Sequence, residues 1–355
     1  MDHARTRVPA AAIAGLIEDA LARVGLPAAD AAKVAELMTE ADLTGADAHG
    51  VFRLPQYVRR LRAGGVNAKP DIQVSKTAAA TALVDGDNGM GHLVMACAAA
   101  TAIELARDVG IAWVGARRSN HAGAAGVYAT LPLAHNMIGI YSVVASANHM
   151  AMWGGAETLL GTNPLAVAIP AGAEAPVVLD IATTVVSYGT VKNYRLQGKT
   201  MPDGWMVSRK DGGPLTDPGQ SADGLLLPIG GYKGSGLALV LGLLAGTLNG
   251  AAFGRDVIDF NYDDENACDN GHFIIALDIA RFLPLADFTA EIDRHVRDLR
   301  NSQRLPDGEP IRLPGEQRQA RRDDRVHNGV PMLGELIAQL DKLAGDLGVK
   351  KLSER

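Results

Sequence analysis

Three short stretches of this 355-residue chain hold side chains able to move a proton or grip an anion. In "ADAHGVFRLPQY", His49, Arg53 and Tyr57 recur every fourth residue, which would put them on one helical face. Pro55 fits better as the first residue of a helix than as its interior, so His49 and Arg53 would sit in the approach to that helix. An imidazole beside a guanidinium suits a substrate whose carboxylate adjoins a carbonyl: the arginine grips the carboxylate through two nitrogens and the histidine exchanges the proton. The same residues also fit a capping histidine and a surface arginine paired with an acid such as Asp47. In "RRSNHAGAAGVYATL" (117–131), Ser119, Asn120 and His121 separate an apolar run from a stretch of small residues. That junction reads either as a ligand site or as an ordinary strand-to-helix turn, capped by Ser119 or Asn120 with His121 exposed. In "LPIGGYKGSGLALVLG" (227–242), glycines surround Lys233 just before an apolar helix. Free backbone N–H groups and an ammonium there would cradle a phosphate, or the glycines would serve close packing alone.

Other motifs are weak or missing. "GMGHLVM" begins like the dinucleotide fingerprint, but Val94 stands where its third glycine belongs. There is no phosphate-binding Gly-x-x-x-x-Gly-Lys-Ser/Thr motif and no nucleophile-elbow motif. The nine histidines lack metal-ligand spacing, so no metal is expected.

The elements that must position these residues follow from apolar periodicity. Helices are expected over 9–24, 28–39 and from about 55 to 64. From about 77, strand-length apolar runs take over: "TALVDGD", "IAWVGA", 137–147, 165–171, 176–182 and 272–279, with a helix at 92–110. A Gly/Pro/Asp-rich loop is expected over 197–220, and helical periodicity returns at 332–347. The fold class is therefore α/β (α+β). A helical domain built from both termini (1–75 and 306–355) would enclose an α/β domain (76–305).

Composition narrows the function. With 47% apolar residues the chain can bury a large core. A net charge of −6 and a pI near 5.9 argue against a nucleic-acid or anionic-membrane partner. The basic cluster 318–324, interrupted by acids, reads as a solvated face. Cys97 and Cys268 lie far apart without a disulfide framework, which points to a reducing, cytoplasmic location. Residues 10–17 after Arg5 and Arg7 resemble a secretory leader, but Glu18 and Asp19 and helical spacing favour an amphipathic helix. The uncharged stretch 234–254 has too short an apolar part to span a bilayer and reads as a buried core helix.

Taken in order, "DAHGVFRLPQY", "DGDNGMGH", "SNHAGAAGVYA", "WGGAETLLGTNPLAVAIPA", "LDIATT", "GGYKGSGLA", "GHFIIALD" and "LPGE" resemble the malate/L-lactate dehydrogenase family, which lacks a conventional Rossmann fold. The family includes ureidoglycolate, sulfolactate and diketogulonate dehydrogenases and reductases of piperideine-2-carboxylate. The resemblance implies a non-Rossmann, mixed-sheet domain binding NAD or NADP, and a homodimer with its site near the interface. By the same resemblance His49 matches the proton donor, Arg53 the carboxylate-binding arginine with Tyr57 beside it, and His121 a proton acceptor of some members. Asp180 matches an aspartate near the catalytic histidine and the cofactor. Ser146, Ile181, Ala182, Lys233, Gly315 and Glu316 fall where the family binds the dinucleotide. Ala48 departs from the pattern, because the family carries serine there. A Ser-His-Asp relay is then impossible, which leaves His49 to be oriented by Asp180 or water. Ala122 replaces a common aromatic and should widen the pocket, and the loop around Ser146 lacks prolines usual in the family. The expected activity is interconversion of a small 2-oxo acid and 2-hydroxy acid. The alternatives are reduction of a cyclic imino acid on the same fold, or a ligand-binding homologue with impaired catalysis.

Overall fold

The apolar runs of strand length pair into one seven-stranded sheet in the computed structural model, which describes residues 5–355. Across the sheet the strands are Gln73–Ala78, Thr81–Asp85, Ile111–Ser119, Asn270–Asp278, Met137–Val143, Leu165–Ile169 and Val177–Ile181. Only Thr81–Asp85 and Ile111–Ser119 run parallel, joined by the crossover helix Gly91–Val109; every other neighbouring pair is antiparallel. This is the mixed, non-Rossmann sheet expected. Its registers explain where a site can form. Asn270 lies opposite Ser119, His272 opposite Val143, Ser142 opposite Leu165, and Leu165 opposite Ile181. One end of the sheet therefore collects the segments 119–123, 143–147, 162–165 and 181–184.

Two hydrophobic clusters carry most of the buried apolar side chains. One joins the sheet to the Gly91–Val109 helix through Val84, Val94, Ala98, Val114, Tyr141 and Ile274. The other unites the helices Ala10–Arg23, Ala28–Leu43 and Leu54–Ala63 with Val330, Met332, Leu340 and Leu347. Ile13, Leu16, Ile17 and Leu21 are fully buried on one face of the first helix, each contributing about 1.5–3 kcal/mol of burial.

Several expectations needed correction. Residues 5–8, expected in a helical unit, form a strand paired antiparallel with Val330–Leu333, because long-range pairing with the β-branched and apolar run 330–333 overrides local pattern. Residues 1–4 of that unit lie outside the described residues. The cluster 318–324 is not a free solvated face. It belongs to helix Glu316–Asn328, where Arg318 faces Asp180 with only 15% of its side chain exposed and Arg322 bonds Glu40 at 2.8 Å. The uncharged stretch 234–254 does begin in a helix, Tyr232–Ala245, but only one side is buried, at Ala238, Leu241 and Ala245. Val240, Leu243 and Leu248 are exposed, since a run without polar residues carries no periodicity to tell one-sided from all-round burial. No described helix is long and apolar enough to cross a membrane.

Candidate active site

His49 and Arg53 arrive on two short 3-10 turns, Asp47–His49 and Val51–Arg53, that lead into helix Leu54–Ala63 with Pro55 in its first turn. A proline there needs no N–H partner, so the helix begins where the sequence placed it. Arg53 is buried. Its Nε donates to the Ala48 carbonyl at 2.9 Å and its Nη1 to Gln56 Oε1 at 3.0 Å, while Gln56 Nε2 donates to the Phe260 carbonyl. None of these partners is charged. Asp47, the acid that would have made Arg53 structural, pairs with Arg325 instead. Burial pulls the Arg53 guanidinium below its ordinary pKa.

The opposite wall comes from the segment after Ile111–Ser119. Asn120 is buried, and its Nδ2 donates to the Asn88 carbonyl, Asn88 Oδ1 and the Gly89 carbonyl at 2.9–3.0 Å. Neither Ser119 nor Asn120 caps the following helix Ala125–Ala129. The second glycine of "GMG" has a packing role: a Cβ on Gly91 would collide with the Asn120 carbonyl. These contacts fix the backbone that presents His121. Its Nδ1 lies 2.6 Å from the Tyr57 hydroxyl and 3.2 Å from the Gly123 N–H. The Gly123 amide can only donate, so Nδ1 is the acceptor nitrogen, Tyr57 donates to it, and the imidazole hydrogen resides on Nε2. The His49 and His121 rings are nearly parallel, 13° apart with centroids 5.6 Å from each other, and Phe260 also stacks with His121, its centroid at 4.9 Å.

These groups open onto a cleft of about 710 Å³ including its mouth. His49, Arg53 and His121 line it, as do Ala122, Ser146, His149, Tyr188 and Asn261. Burial, then the nearby Arg53 charge, lowers the His49 pKa from 6.5 to about 4; His121 is lowered well below its ordinary value for the same leading causes. Both rings are therefore neutral near pH 7. His49 Nδ1 is enclosed without a hydrogen-bond partner among the described residues.

The remaining expected residues spread over three neighbouring places. Tyr57 sits behind His121, not on the cleft surface. Ser146 lines the cleft, but its hydroxyl donates to Asn270 Oδ1 at 3.0 Å. Asp180 does not orient either histidine: its Oδ2 accepts the Gly126 N–H at 2.8 Å and faces Arg318 at 3.6 Å, so it secures the segment that follows His121. Ile181 and Ala182 line a second depression with Thr184, Ser187 and Ile229, and Ser187 is shared with the main cleft. The Ile229 N–H donates to the Thr183 carbonyl at 3.0 Å, which anchors the loop leading to Gly230, Gly231 and exposed Lys233. Gly230 and Gly231 have φ of +58° and +66°, and no side chain caps the helix they introduce. Gly315 (φ +97°) begins helix Glu316–Asn328, while the Glu316 carboxylate accepts the Leu313 N–H and pairs with Arg300 at 2.9 Å.

Phe260, Asn163 and Asn270 were not anticipated. Asn163 Oδ1 accepts the Ala145 N–H at 3.0 Å and its Nδ2 donates to the Ala238 carbonyl, while Asn270 Nδ2 donates to the Val144 carbonyl at 2.9 Å. Together these two buried amides hold the 144–147 wall. Asn163, inside "GTNP", carried a turn signal. Phe260, in an acidic loop without periodicity, carried none.

One end of the mixed sheet thus gathers two neutral histidines and a buried arginine, a set able to hold a carboxylate and exchange a proton beside it. The sequence matches the malate/L-lactate dehydrogenase family over residues 8–341. It is 37% identical over 361 residues to malate dehydrogenase of Pyrococcus horikoshii, covering 99% of this chain and 98% of that one. It is 33% identical to ureidoglycolate dehydrogenase (NAD(+)) of Escherichia coli (92% of each), and 34% identical to (2R)-3-sulfolactate dehydrogenase (NADP(+)) of Chromohalobacter salexigens (86% and 89%). Among solved structures, sulfolactate dehydrogenase from Methanocaldococcus jannaschii superposes with a TM-score of 0.89 at 34% identity, covering 98% of this chain and 99% of that one. Delta1-piperideine-2-carboxylate reductase from Pseudomonas syringae superposes at 0.83 and 27% identity, covering 96% and 100%. The chain belongs to the malate/L-lactate dehydrogenase family.

Proposed function

We propose that the protein interconverts a small 2-oxo acid and its 2-hydroxy acid with NAD or NADP, Arg53 holding the carboxylate and His49 exchanging the proton. The observation that carries this reading is Arg53: a buried guanidinium whose partners among the described residues are neutral, opening onto the same cleft as His49 and His121. His121, with its hydrogen on Nε2, donates to the reacting oxygen and polarises it. Asp180 acts on this site through Gly126 and the loop of His121.

The residues fit a dinucleotide. The cleft adjoins, at Ser187, the depression bounded by Ile181, Ala182 and Ile229, and beyond it lie the left-handed glycines and uncapped helix N-terminus beside Lys233. Lys233 and that N-terminus would hold a phosphate, and Ser146, Ile181 and Ala182 the adjoining parts. Gly315 and Glu316 would contribute from the helix that carries Arg318. The chemistry supplied there when NAD or NADP is bound is hydride donation or acceptance. The small residues Ala122 and Gly123 let both reactants approach His121 closely.

A second reading, reduction of a cyclic imino acid, is favoured by the likeness to the piperideine-2-carboxylate reductase and by the room that Ala122 leaves. A binding protein without turnover is the third. Nicotinamide absorbance with a panel of 2-oxo acids and cyclic imines distinguishes them. Turnover of 2-oxo acids supports the first reading, turnover of imines alone the second, and binding without turnover the third.

We also propose a homodimer formed through the exposed apolar residues Val240, Leu243 and Leu248, which sedimentation would test. A cytoplasmic location agrees with the unpaired Cys97 and Cys268. We further propose a division into an inserted α/β domain (76–305) and a helical domain from the flanking segments, which limited proteolysis would test.

A further inference from the structure

We propose that Arg325 is a positioning residue for the reaction: with Asp47 it pins the turn that aims His49 into the cleft, and helix Glu316–Asn328 thereby ties both histidine loops to one rigid element. This rests on the reading above, in which His49 exchanges the proton and His121 polarises the reacting oxygen.

Asp180 is engaged elsewhere, and His49 Nδ1 has no hydrogen-bond partner among the described residues. The direction of the His49 ring is therefore left to stacking on His121 and to the turn Asp47–His49 that carries it. That turn is pinned on both sides. Before His49, Arg325 grips the Asp47 carboxylate through both terminal nitrogens, Nη1 on Oδ1 and Nη2 on Oδ2 at 3.4 Å, and the same Nη1 donates to the Asp42 carbonyl. After His49, the Asp42 carboxylate accepts the Val51 N–H at 2.8 Å, and a Cβ on Gly50 would collide with it. Only 8% of the Arg325 side chain is exposed. A buried planar guanidinium shared between a carboxylate and a carbonyl has one orientation to offer, so it transmits position as well as charge.

The same helix reaches the loop of His121. Arg318, two turns before Arg325, faces the Asp180 carboxylate at 3.6 Å, and that carboxylate accepts the N–H of Gly126, which follows His121 closely in sequence. Between them Arg322 bonds Glu40 at 2.8 Å, on the helix Ala28–Leu43 that leads into the His49 turn. Residues at i, i+4 and i+7 share a helical face, so the three arginines act from one side of one helix. The acids they hold lie on three separate elements: strand Val177–Ile181, helix Ala28–Leu43 and turn Asp47–His49. A displacement of about 1 Å is enough to slow chemistry that needs two imidazoles on one carbonyl. Loosening the Arg325 anchor would move His49 by such an amount without touching substrate.

The test uses the full chain, a 2-oxo acid that the wild-type enzyme turns over, and the variants Arg325→Met, Arg325→Lys, Asp47→Asn and the double variant Asp47→Asn/Arg325→Met. Kinetics are read with the isotope effect of a cofactor deuterated at the transferred position, calorimetric cofactor affinity and melting temperature. In Arg325→Met, kcat per cofactor-binding site should fall about 10- to 100-fold while KM changes less than about 3-fold. The isotope effect should grow as hydride transfer becomes the slowest step, and Arg325→Lys should recover part of the rate. The double variant should be no slower than Arg325→Met, because both substitutions break one anchor. A lower melting temperature with kcat per binding site and isotope effect unaltered would overturn the proposal, and so would losses that multiply in the double variant. Asp47 is half-exposed, so Asp47→Asn decides the matter if Arg325→Met does not fold: a fall in kcat of about 3- to 10-fold supports the anchor, and an unchanged kcat overturns it. Absence of turnover with every 2-oxo acid in the wild type would instead remove the underlying reading, and the proposal with it.

Discussion

The hydroxyl of Tyr57 stands 2.6 Å from Nδ1 of His121 and, with the Gly123 N–H, decides which nitrogen of that ring bears the hydrogen. Burial holds the Tyr57 phenol above its ordinary pKa, so it remains a donor throughout the neutral range. Tyr57→Phe removes one of the two donors. We expect kcat to fall about 10-fold with cofactor affinity unchanged, and stability to drop by about 0.5–1.5 kcal/mol. A lower melting temperature with unaltered kcat would reduce Tyr57 to a packing residue.

Arg53→Lys keeps the charge but loses the planar fork. Among the described residues no acid pairs with Arg53, so its charge is available to a substrate carboxylate. The expected loss in kcat/KM for a 2-oxo acid is about 100-fold or more, and esters or amides of the true substrate should be poor substrates of the wild-type enzyme. Full activity of the variant, or efficient turnover of a neutral ketone, would sink the carboxylate clamp.

The pH profile should depend on direction. With its pKa at about 4, His49 is a neutral base at every pH used for assay. For oxidation of the hydroxy acid, kcat/KM should therefore stay flat from about pH 5 upward. Reduction needs the protonated ring, so its kcat/KM should fall about tenfold per pH unit over the same range. A break near 6.5 in either direction would show that the ring titrates as an ordinary histidine.

Acid should also weaken the fold through its histidines. His92 and His272 are buried, and burial is the leading cause that lowers each to about 3. Their folded pKa values lie below the unfolded value of 6.5, so the unfolded chain binds more protons as pH drops. Stability is then greatest above pH 6.5 and declines progressively as pH falls toward about 3. Thermal melts between pH 7 and 5 should register this decline, and His92→Leu, in which that proton uptake is abolished, should flatten it. Melting temperatures independent of pH in that interval would contradict it.

Legibility in the sequence followed the range of the interactions. The seven strands were foreshadowed, apart from Gln73–Ala78, because apolar runs bounded by Gly, Pro and Asn mark buried strands locally. His49, Arg53 and His121, which line one cleft, stood out as polar residues at the ends of such runs. The strand Arg5–Val8 and the ion pair between Arg318 and Asp180 were not legible, since each depends on a partner well over a hundred residues away. Asp180 shows the limit of motif reasoning: its residue type and place suggested a partner for histidine, whereas its carboxylate is engaged by a backbone amide and an arginine. The fold also shows why Gly91 is glycine, which the fingerprint-like spacing disguised.

The pairing of Arg5–Val8 with Val330–Leu333, and the burial of Leu340 and Leu347 against the first helices, bear on how the protein matures during synthesis. The helices that carry His49 and Arg53 leave the ribosome early, yet the apolar surface that completes their core is translated some three hundred residues later. Until then that part of their core stays open, while Leu37 and Ala41 of the second helix can already pack with the sheet. The core beneath His49 and Arg53 is therefore complete only when the strand Val330–Leu333 and the helix after it dock.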